Sequence, residues 1–292
     1  MILAAGARVL LEGPGPFVMG VVNVTPDSFS DGGRFLATED AVAHGLRLAA
    51  EGADVLDLGG ESTRPGSAPV AEAEQIERVV PVVRGLRARG LSLPISVDTT
   101  RAAVARAALE AGADIVNDVS GLAADPALGE VVARAAAPVV LMHMRGTPAD
   151  MQSRAVYRDV VAEVASELEE ALARAGAAGI AAGRVVLDPG IGFAKTAVQS
   201  LELLARLPEL RARLPGRPFL VGPSRKSFIG QVTGAAVADR LPGTLAAVTA
   251  CVLAGVEIVR VHDVAAARQA AQVAAALRGA TTRRGATPPG PR

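Results

Sequence analysis

The sequence predicts a single-domain α/β protein, an eight-fold (β/α) barrel of the TIM type. Three features of the 292-residue chain point to it. Short apolar runs alternate with helical segments eight times, each run apolar enough to be covered on both faces like a parallel strand. The runs end on polar side chains, as barrel strands do where they reach the functional rim. Gly-Ala-Asp recurs before the second and fourth runs, at 52–54 and 112–114, and Gly255-Val256-Glu257 precedes the eighth. A glycine there stops a helix before the chain re-enters at the bottom of the barrel. The length suits this class, since such barrels commonly reach roughly 250 residues as one domain.

The elements follow in order. Residues 1–16 form an apolar lead-in, expected as a short hairpin closing one barrel end and broken by Gly-Pro-Gly-Pro at 13–16. The barrel is expected over 17–278, and the Pro/Gly-rich tail 279–292 is expected to be disordered. Strand one ends in Met19-Gly20-Val21-Val22 and delivers Asn23 into a polar loop. There Thr25, Asp27, Ser28, Ser30 and Asp31 surround Phe29 before Gly32-Gly33. Thr38 is placed to cap a helix running to about Glu51, with Glu39 and Asp40 at its positive end. Strands follow at Val55–Leu58, Pro94–Val97, Ile115–Val116, Val139–Met142, Val185–Leu187, Phe219–Val221 and Glu257–Val261. Helices are expected near 71–89, 101–111, 126–135, 156–177, 197–206 and 241–254, with a last one ending at about Leu277.

Composition narrows function. Lys+Arg and Asp+Glu both number 30, so no global charge calls for nucleic acid, and anionic partners must be bound locally. No apolar stretch is long enough for a membrane span, and the N-terminus has no secretory pattern, so a cytoplasmic location is expected. The single cysteine, Cys251, reads as a buried hydrophobe. Arginine dominates the basic residues. The only lysines are Lys195 and Lys226 and the only asparagines Asn23 and Asn117, which singles these four out for roles needing a compact ammonium or an amide.

The strand ends carry Asn23; Asp57 with Glu61, Ser62, Thr63 and Arg64; Asp98; Asn117 with Asp118; His143 with Arg145; Asp188; Ser224, Arg225 and Lys226; and Arg260, His262 and Asp263. Asp57 or Asp118 serves equally as a loop cap, and His143 as a hydrogen-bonded core histidine. Two carboxylates, an amide and an ammonium suit a flat heterocycle with donors and acceptors, such as an amino-oxo-pyrimidine ring. Arg260 and His262, next to the start of the last helix, make a phosphate-type anion site. Asn23 with Asp31 suits magnesium, which takes a few protein oxygens along with water and substrate phosphate. The helix at 241–254, with Val248, Val252 and Leu253, is apolar enough to predict a homodimer.

NVTPDSFSDGG, GGESTRPG, SVDT, NDVSG, MHMRGTP, DPGIGF, GPSRKSFIG and RVHD occur in that order over nearly the whole chain, which in this set resembles the bacterial dihydropteroate synthases, the sulfonamide-inhibited enzymes of folate synthesis. The resemblance implies a barrel that joins dihydropterin-hydroxymethyl pyrophosphate to p-aminobenzoate with magnesium. It implies that Asp98, Asn117, Asp188 and Lys226 hold the pterin, and that Asn23, Arg260 and His262 hold pyrophosphate and its metal. Phe29, Thr63, Arg64, Pro65 and Ser227 would shape the p-aminobenzoate pocket. Ile191 and Ala194 stand where that family often has phenylalanine and glycine. Two rival readings are a pterin-barrel methyltransferase acting on a reduced folate, which needs no pyrophosphate site, and a catalytically silent pterin-binding paralogue.

Overall fold

A computed structural model describes residues 1–24, 33–63 and 66–283, with residues 33–36 and 281–283 described by their backbone alone. The lead-in is the expected hairpin, β1 (Ile2–Ala5) paired antiparallel with β2 (Arg8–Glu12). Eight parallel strands follow: β3 (Phe17–Asn23), β4 (Val55–Gly59), β5 (Ile95–Asp98), β6 (Ile115–Asp118), β7 (Val139–Met142), β8 (Val185–Asp188), β9 (Leu220–Val221) and β10 (Ile258–Val261). Each pairs with its sequence neighbour, β10 returns to β3, and a parallel bridge from Leu187 to Phe219 joins β8 to β9 and closes the barrel.

Side-chain alternation divides the strands into two cores. Outward residues such as Val18, Leu56, Val97, Leu141 and Val259 pack under the helices. Inward residues Met19, Val55, Ile115, Val140, Val186, Leu220 and Ile258 fill the lower barrel, with Leu3 and Leu11 of the hairpin plugging it from below. The lower interior is therefore predominantly apolar, with Ser96 a buried polar member beside Ile115. Any chemistry must lie above it.

The recurring glycine–acid sequence has a structural cause. Asp54 accepts from Val18 N at 2.7 Å and pairs with Arg268 at 2.7 Å. Asp114 accepts from Ile95 N at 2.9 Å and pairs with Arg87 at 2.6 Å and with Arg8 of the hairpin at 2.7 Å. Glu257 accepts from Phe219 N at 2.8 Å and pairs with Arg211 at 2.8 Å. Each acid satisfies a backbone N–H in the neighbouring strand or at its start and clips an arginine from the outer layer, so the motif closes the barrel floor.

The outer layer comprises α1 (Gly33–Ala50), α2 (Glu72–Ala88), α3 (Ala102–Glu110), α4 (Pro126–Arg134), α5 (Val160–Ala177), α6 (Ala197–Ala205), α7 (Leu207–Arg213), α8 (Ser227–Thr233), α9 (Leu241–Leu253) and α10 (Val264–Arg283). Several boundaries differ from expectation. The first helix starts at Gly33, so Thr38 lies inside it and not at its N-terminus. The long helix starts at Val160, because the Asp159 side chain accepts from Val161 N and Ala162 N at that point. Two short helices, α7 and α8, were not anticipated; each has about two turns and too little periodicity to read. The last helix continues past Leu277 to Arg283, the alanine-rich sequence tolerating one glycine near its end, so 279–283 are helical; residues 284–292 lie outside the described residues.

Helix α9 corrects the dimer argument. Val248 and Val252 are fully buried, because α9 packs against α6, α8, α10 and β10 of its own barrel. Only Leu253 of the three reaches solvent. Among the described residues no helix is long and apolar enough to cross a membrane.

Candidate active site

Above the apolar floor, the same alternation that points Val55, Ile115, Val186 and Ile258 inward points Asp57, Asn117, Asp188 and Arg260 inward two residues later. Strand register sets their heights. Asn23 stands beside Gly59, Gly59 beside Asp98, and Asp98 beside Asn117, a single row across β3 to β6. Asp98, Asn117 and Asp188 are buried, and Asp57 is wholly so.

Charge in this layer is compensated from within. Arg260 reaches across the barrel to donate from Nε to Asp57 Oδ2 at 2.6 Å and from Nη2 to Asp98 Oδ2 at 3.0 Å. Asn117 Nδ2 donates to the same Asp57 oxygen at 3.1 Å. Burial, reinforced by Asp57, raises the Asp98 pKa, with Arg260 opposing. Burial pushes Asp188 up to about 6, against the pull of Gly190 N–H and Lys226. Gly190 N donates to Asp188 Oδ1 at 2.7 Å. Lys226, immediately before α8, is lowered to about 8 by burial and by Arg260, and its Nζ lies 4.0 Å from the centre of the Phe193 ring.

Most of these groups line one pocket that opens to solvent. Its walls include Thr63, Asp98, Asn117, Asp188, Lys226 and Arg260, and its apolar surfaces come from Val119, Met142, Ile191 and Phe193. All four residues expected to hold a pterin thus meet in one cavity, floored by carboxylates and capped by an ammonium. A flat ring in this pocket would find carboxylate and amide acceptors, ammonium and guanidinium donors, and apolar walls.

The remaining site residues divide. Asn23 is exposed at the rim. Ser227 is exposed in the first turn of α8, and Thr63 faces the pocket. Phe29, Asp31, Arg64 and Pro65 lie outside the described residues. His262 follows β10, with its Nδ1 3.0 Å from Ser224 Oγ, which also accepts from His262 N at 3.2 Å. Burial, Arg260 and Arg225 push the His262 ring down to about 4, so it is neutral near pH 7. Beside it, Arg225 forks onto Asp263 at 3.0 and 2.6 Å. Arg260 is expected, with His262, to make an anion site. It is turned inward, partly matched by two carboxylates, and links the pterin floor to the rim.

His143 and Arg145 do not join the mouth. Inward residues of β7 are Val140 and Met142, so His143 points outward toward α5, where Nε2 meets Glu167 Oε2 at 2.9 Å. The core-histidine reading holds for it. Asp118 is likewise a loop cap, accepting from Ser120 N at 2.8 Å and Leu122 N at 2.6 Å. Asp57 is the member undervalued from sequence. Counting two residues on from Val55 places it inside the barrel.

Comparison with known proteins agrees with this geometry. The chain matches the family described as pterin binding enzyme over residues 19–262. It is 46% identical over 276 residues to the dihydropteroate synthase of Synechocystis, covering 94% of each chain. Its backbone superposes on the dihydropteroate synthase of Xanthomonas albilineans with 4-aminobenzoic acid at a TM-score of 0.86 and 47% identity, covering 95% of this chain and 98% of that one. On the Yersinia pestis dihydropteroate synthase in complex with a sulfonamide drug it reaches a TM-score of 0.88 at 41% identity, covering 96% of this chain and 100% of the other.

Proposed function

The chain belongs to the pterin-binding enzyme family, among its dihydropteroate synthases, and from that premise we propose how its barrel mouth works. The protein condenses 6-hydroxymethyl-7,8-dihydropterin pyrophosphate with p-aminobenzoate, giving 7,8-dihydropteroate and pyrophosphate. The observation that carries the assignment of roles is the meeting of Asp98, Asn117, Asp188 and Lys226 in one pocket.

In this reading Asp188 accepts from the exocyclic amine and ring N–H of the pterin, and Lys226 donates to its carbonyl edge. Asp98 and the buried carboxylate of Asp57 stabilise positive charge that develops on the ring as the C–O bond to pyrophosphate breaks. The leaving group departs toward Arg260, the His262 N–H and the first turn of α10, where donors gather at the rim. The arylamine attacks as the neutral amine along the Thr63 and Ser227 side and loses its proton afterwards, so no general base is assigned. Phe29, Arg64 and Pro65, which lie outside the described residues, are assigned by the resemblance to the same p-aminobenzoate pocket, Phe29 and Pro65 for shape rather than chemistry.

Asn23 presents an exposed amide oxygen at the mouth, a hard donor of the kind magnesium accepts, and with Asp31 it would hold the ion beside the pyrophosphate. Magnesium there supplies charge neutralisation to the leaving group. Of the rival readings, a methyltransferase has no use for an anion site at Arg260 and His262, and a silent pterin-binding paralogue would retain binding without turnover. We place the protein in the cytoplasm and as a homodimer. Val198 and Leu201 of α6, Val232 of α8 and Leu253 of α9 are solvent-exposed on helices that pack together, which supports a shared apolar face. Light scattering at tens of micromolar should give twice the chain mass, and a monomer would reject the dimer.

The test of function is formation of dihydropteroate, identified by mass, from the two substrates with magnesium. Product is expected only with both substrates present. No product with any divalent ion would overturn the assignment.

A further inference from the structure

Between the barrel wall and α5 lies a second group of ionisable side chains that the condensation does not touch. Its centre is Lys195, one of two lysines in the chain and 2% exposed. A lysine ammonium has three N–H bonds, and this one has three acceptors: His143 Nδ1 at 2.8 Å, Gly190 O at 3.1 Å and Phe193 O at 3.0 Å. None is left over. Since a protonated lysine only donates, His143 Nδ1 accepts and the imidazole proton sits on Nε2, which donates to Glu167 Oε2 at 2.9 Å. Glu167 is in turn held by Arg145.

Both carbonyls belong to the turn from Asp188 to Ala194, which has an unfavourable backbone. Gly190, Gly192 and Ala194 have φ of 66°, 81° and 46°. A Cβ on Gly190 would stand 2.0 Å from His143 O, so only glycine fits there. Ala194 has a Cβ, which disfavours this conformation. The same turn sets two pterin-binding groups: Gly190 N–H holds the Asp188 carboxylate, and the Phe193 ring lies under Lys226 Nζ.

We infer that Lys195 is a positioning residue of the pterin subsite, its ammonium, oriented by His143 and Glu167, locking the 188–194 turn so that Asp188 and Lys226 meet the pterin edge. The inference rests on reading the mouth as a pterin site. A lysine that merely glued the turn to the barrel would affect stability and both substrates alike. A positioning lysine acts on the pterin alone. Burial lowers the Lys195 pKa to about 7; around it Asp188 and Glu167 favour its charged form, Arg145 and Lys226 oppose it, and His143 is its hydrogen-bond partner.

Two variants test this, with 6-hydroxymethyl-7,8-dihydropterin pyrophosphate as the calorimetric probe. Lys195→Met keeps the length of the chain and removes all three donors. Its pterin Kd should rise at least tenfold while KM for p-aminobenzoate stays within twofold and the circular dichroism spectrum is unchanged. Wild-type pterin affinity in this variant, or equal loss for both substrates, overturns the proposal. Glu167→Gln leaves Lys195 in place but removes one of the charges that keep it protonated, so the alkaline limb of pterin binding should move to lower pH. An unmoved limb overturns the proposal even if Lys195→Met fails to fold. If the wild-type protein itself does not bind the probe, the pterin reading of the mouth fails, and this inference with it.

Discussion

Replacing Lys226 with methionine removes one ammonium and leaves an apolar chain of similar length over Phe193. Two interactions are lost. The contact of Nζ with the Phe193 ring at 4.0 Å is worth about 0.5–2 kcal/mol, but it is present with and without ligand and largely cancels in binding. The charge-assisted hydrogen bond to the pterin exists only in the complex and contributes about 1.5–3 kcal/mol. Kd for the pterin substrate should therefore rise by roughly ten- to 150-fold, at 1.4 kcal/mol per decade. Arginine should not rescue it. A planar guanidinium is wider than an ammonium and presents its donors in a fixed fork, so it does not reproduce the compact charge that Lys226 holds over the Phe193 ring. Calorimetric titration decides the matter: Lys226→Met within threefold of wild type, or normal binding by Lys226→Arg, would refute the placement of the ammonium on the pterin edge.

Pterin affinity should pass through a maximum in pH. Asp188, raised to about 6, must be ionised to accept two N–H bonds, so affinity falls as pH drops through about 6; Lys195, lowered to about 7, holds the turn and Lys226, lowered to about 8, donates only when protonated, so affinity falls again as pH rises through about 7 and then 8. A binding profile flat from pH 5 to 9 would contradict these roles. At the opposite end of the barrel, Asp114→Asn weakens a clamp on Arg87, Arg8 and Ile95 N and should cost about 2–4 kcal/mol in urea unfolding with kcat little changed. A loss below about 0.5 kcal/mol would show that the recurring acid is not a clamp. Chelation should abolish turnover and magnesium restore it, with Asn23→Ala raising the magnesium concentration needed for half-maximal rate; equal requirements in the two proteins would remove Asn23 as a ligand.

Much of this organisation is legible in the chain because a parallel barrel writes each strand twice, as an apolar run and as the polar residue that ends it. Asp98, Asn117, Asp188 and Lys226 were recognisable at those ends, and the register that brings them together follows from the barrel itself. What sequence could not supply was direction. His143 and Asp188 both stand at strand ends, yet one faces α5 and the other the cavity, a difference set by where each strand's alternation begins. Glu167, the partner of His143, lies in mid-helix 24 residues away with nothing local to mark it. Val248 and Val252 looked like an exposed apolar face because a helix covered on several sides shows no amphipathic stripe. Short helices such as α7 and α8 carry too few residues for a period to emerge.

The central claim is that the polar layer inside the barrel mouth is where pterin and arylamine are joined. The most direct test is pyrophosphate release measured with and without p-aminobenzoate, on wild type and on Asp188→Asn. An amide at 188 keeps the size of the side chain but can accept at only one atom, so it cannot take both pterin N–H bonds. The account predicts release from the wild-type protein that requires the arylamine and matches its consumption one for one, and release from the variant reduced at least a hundredfold. Release independent of p-aminobenzoate, or a variant as fast as wild type at subsaturating pterin, would contradict it.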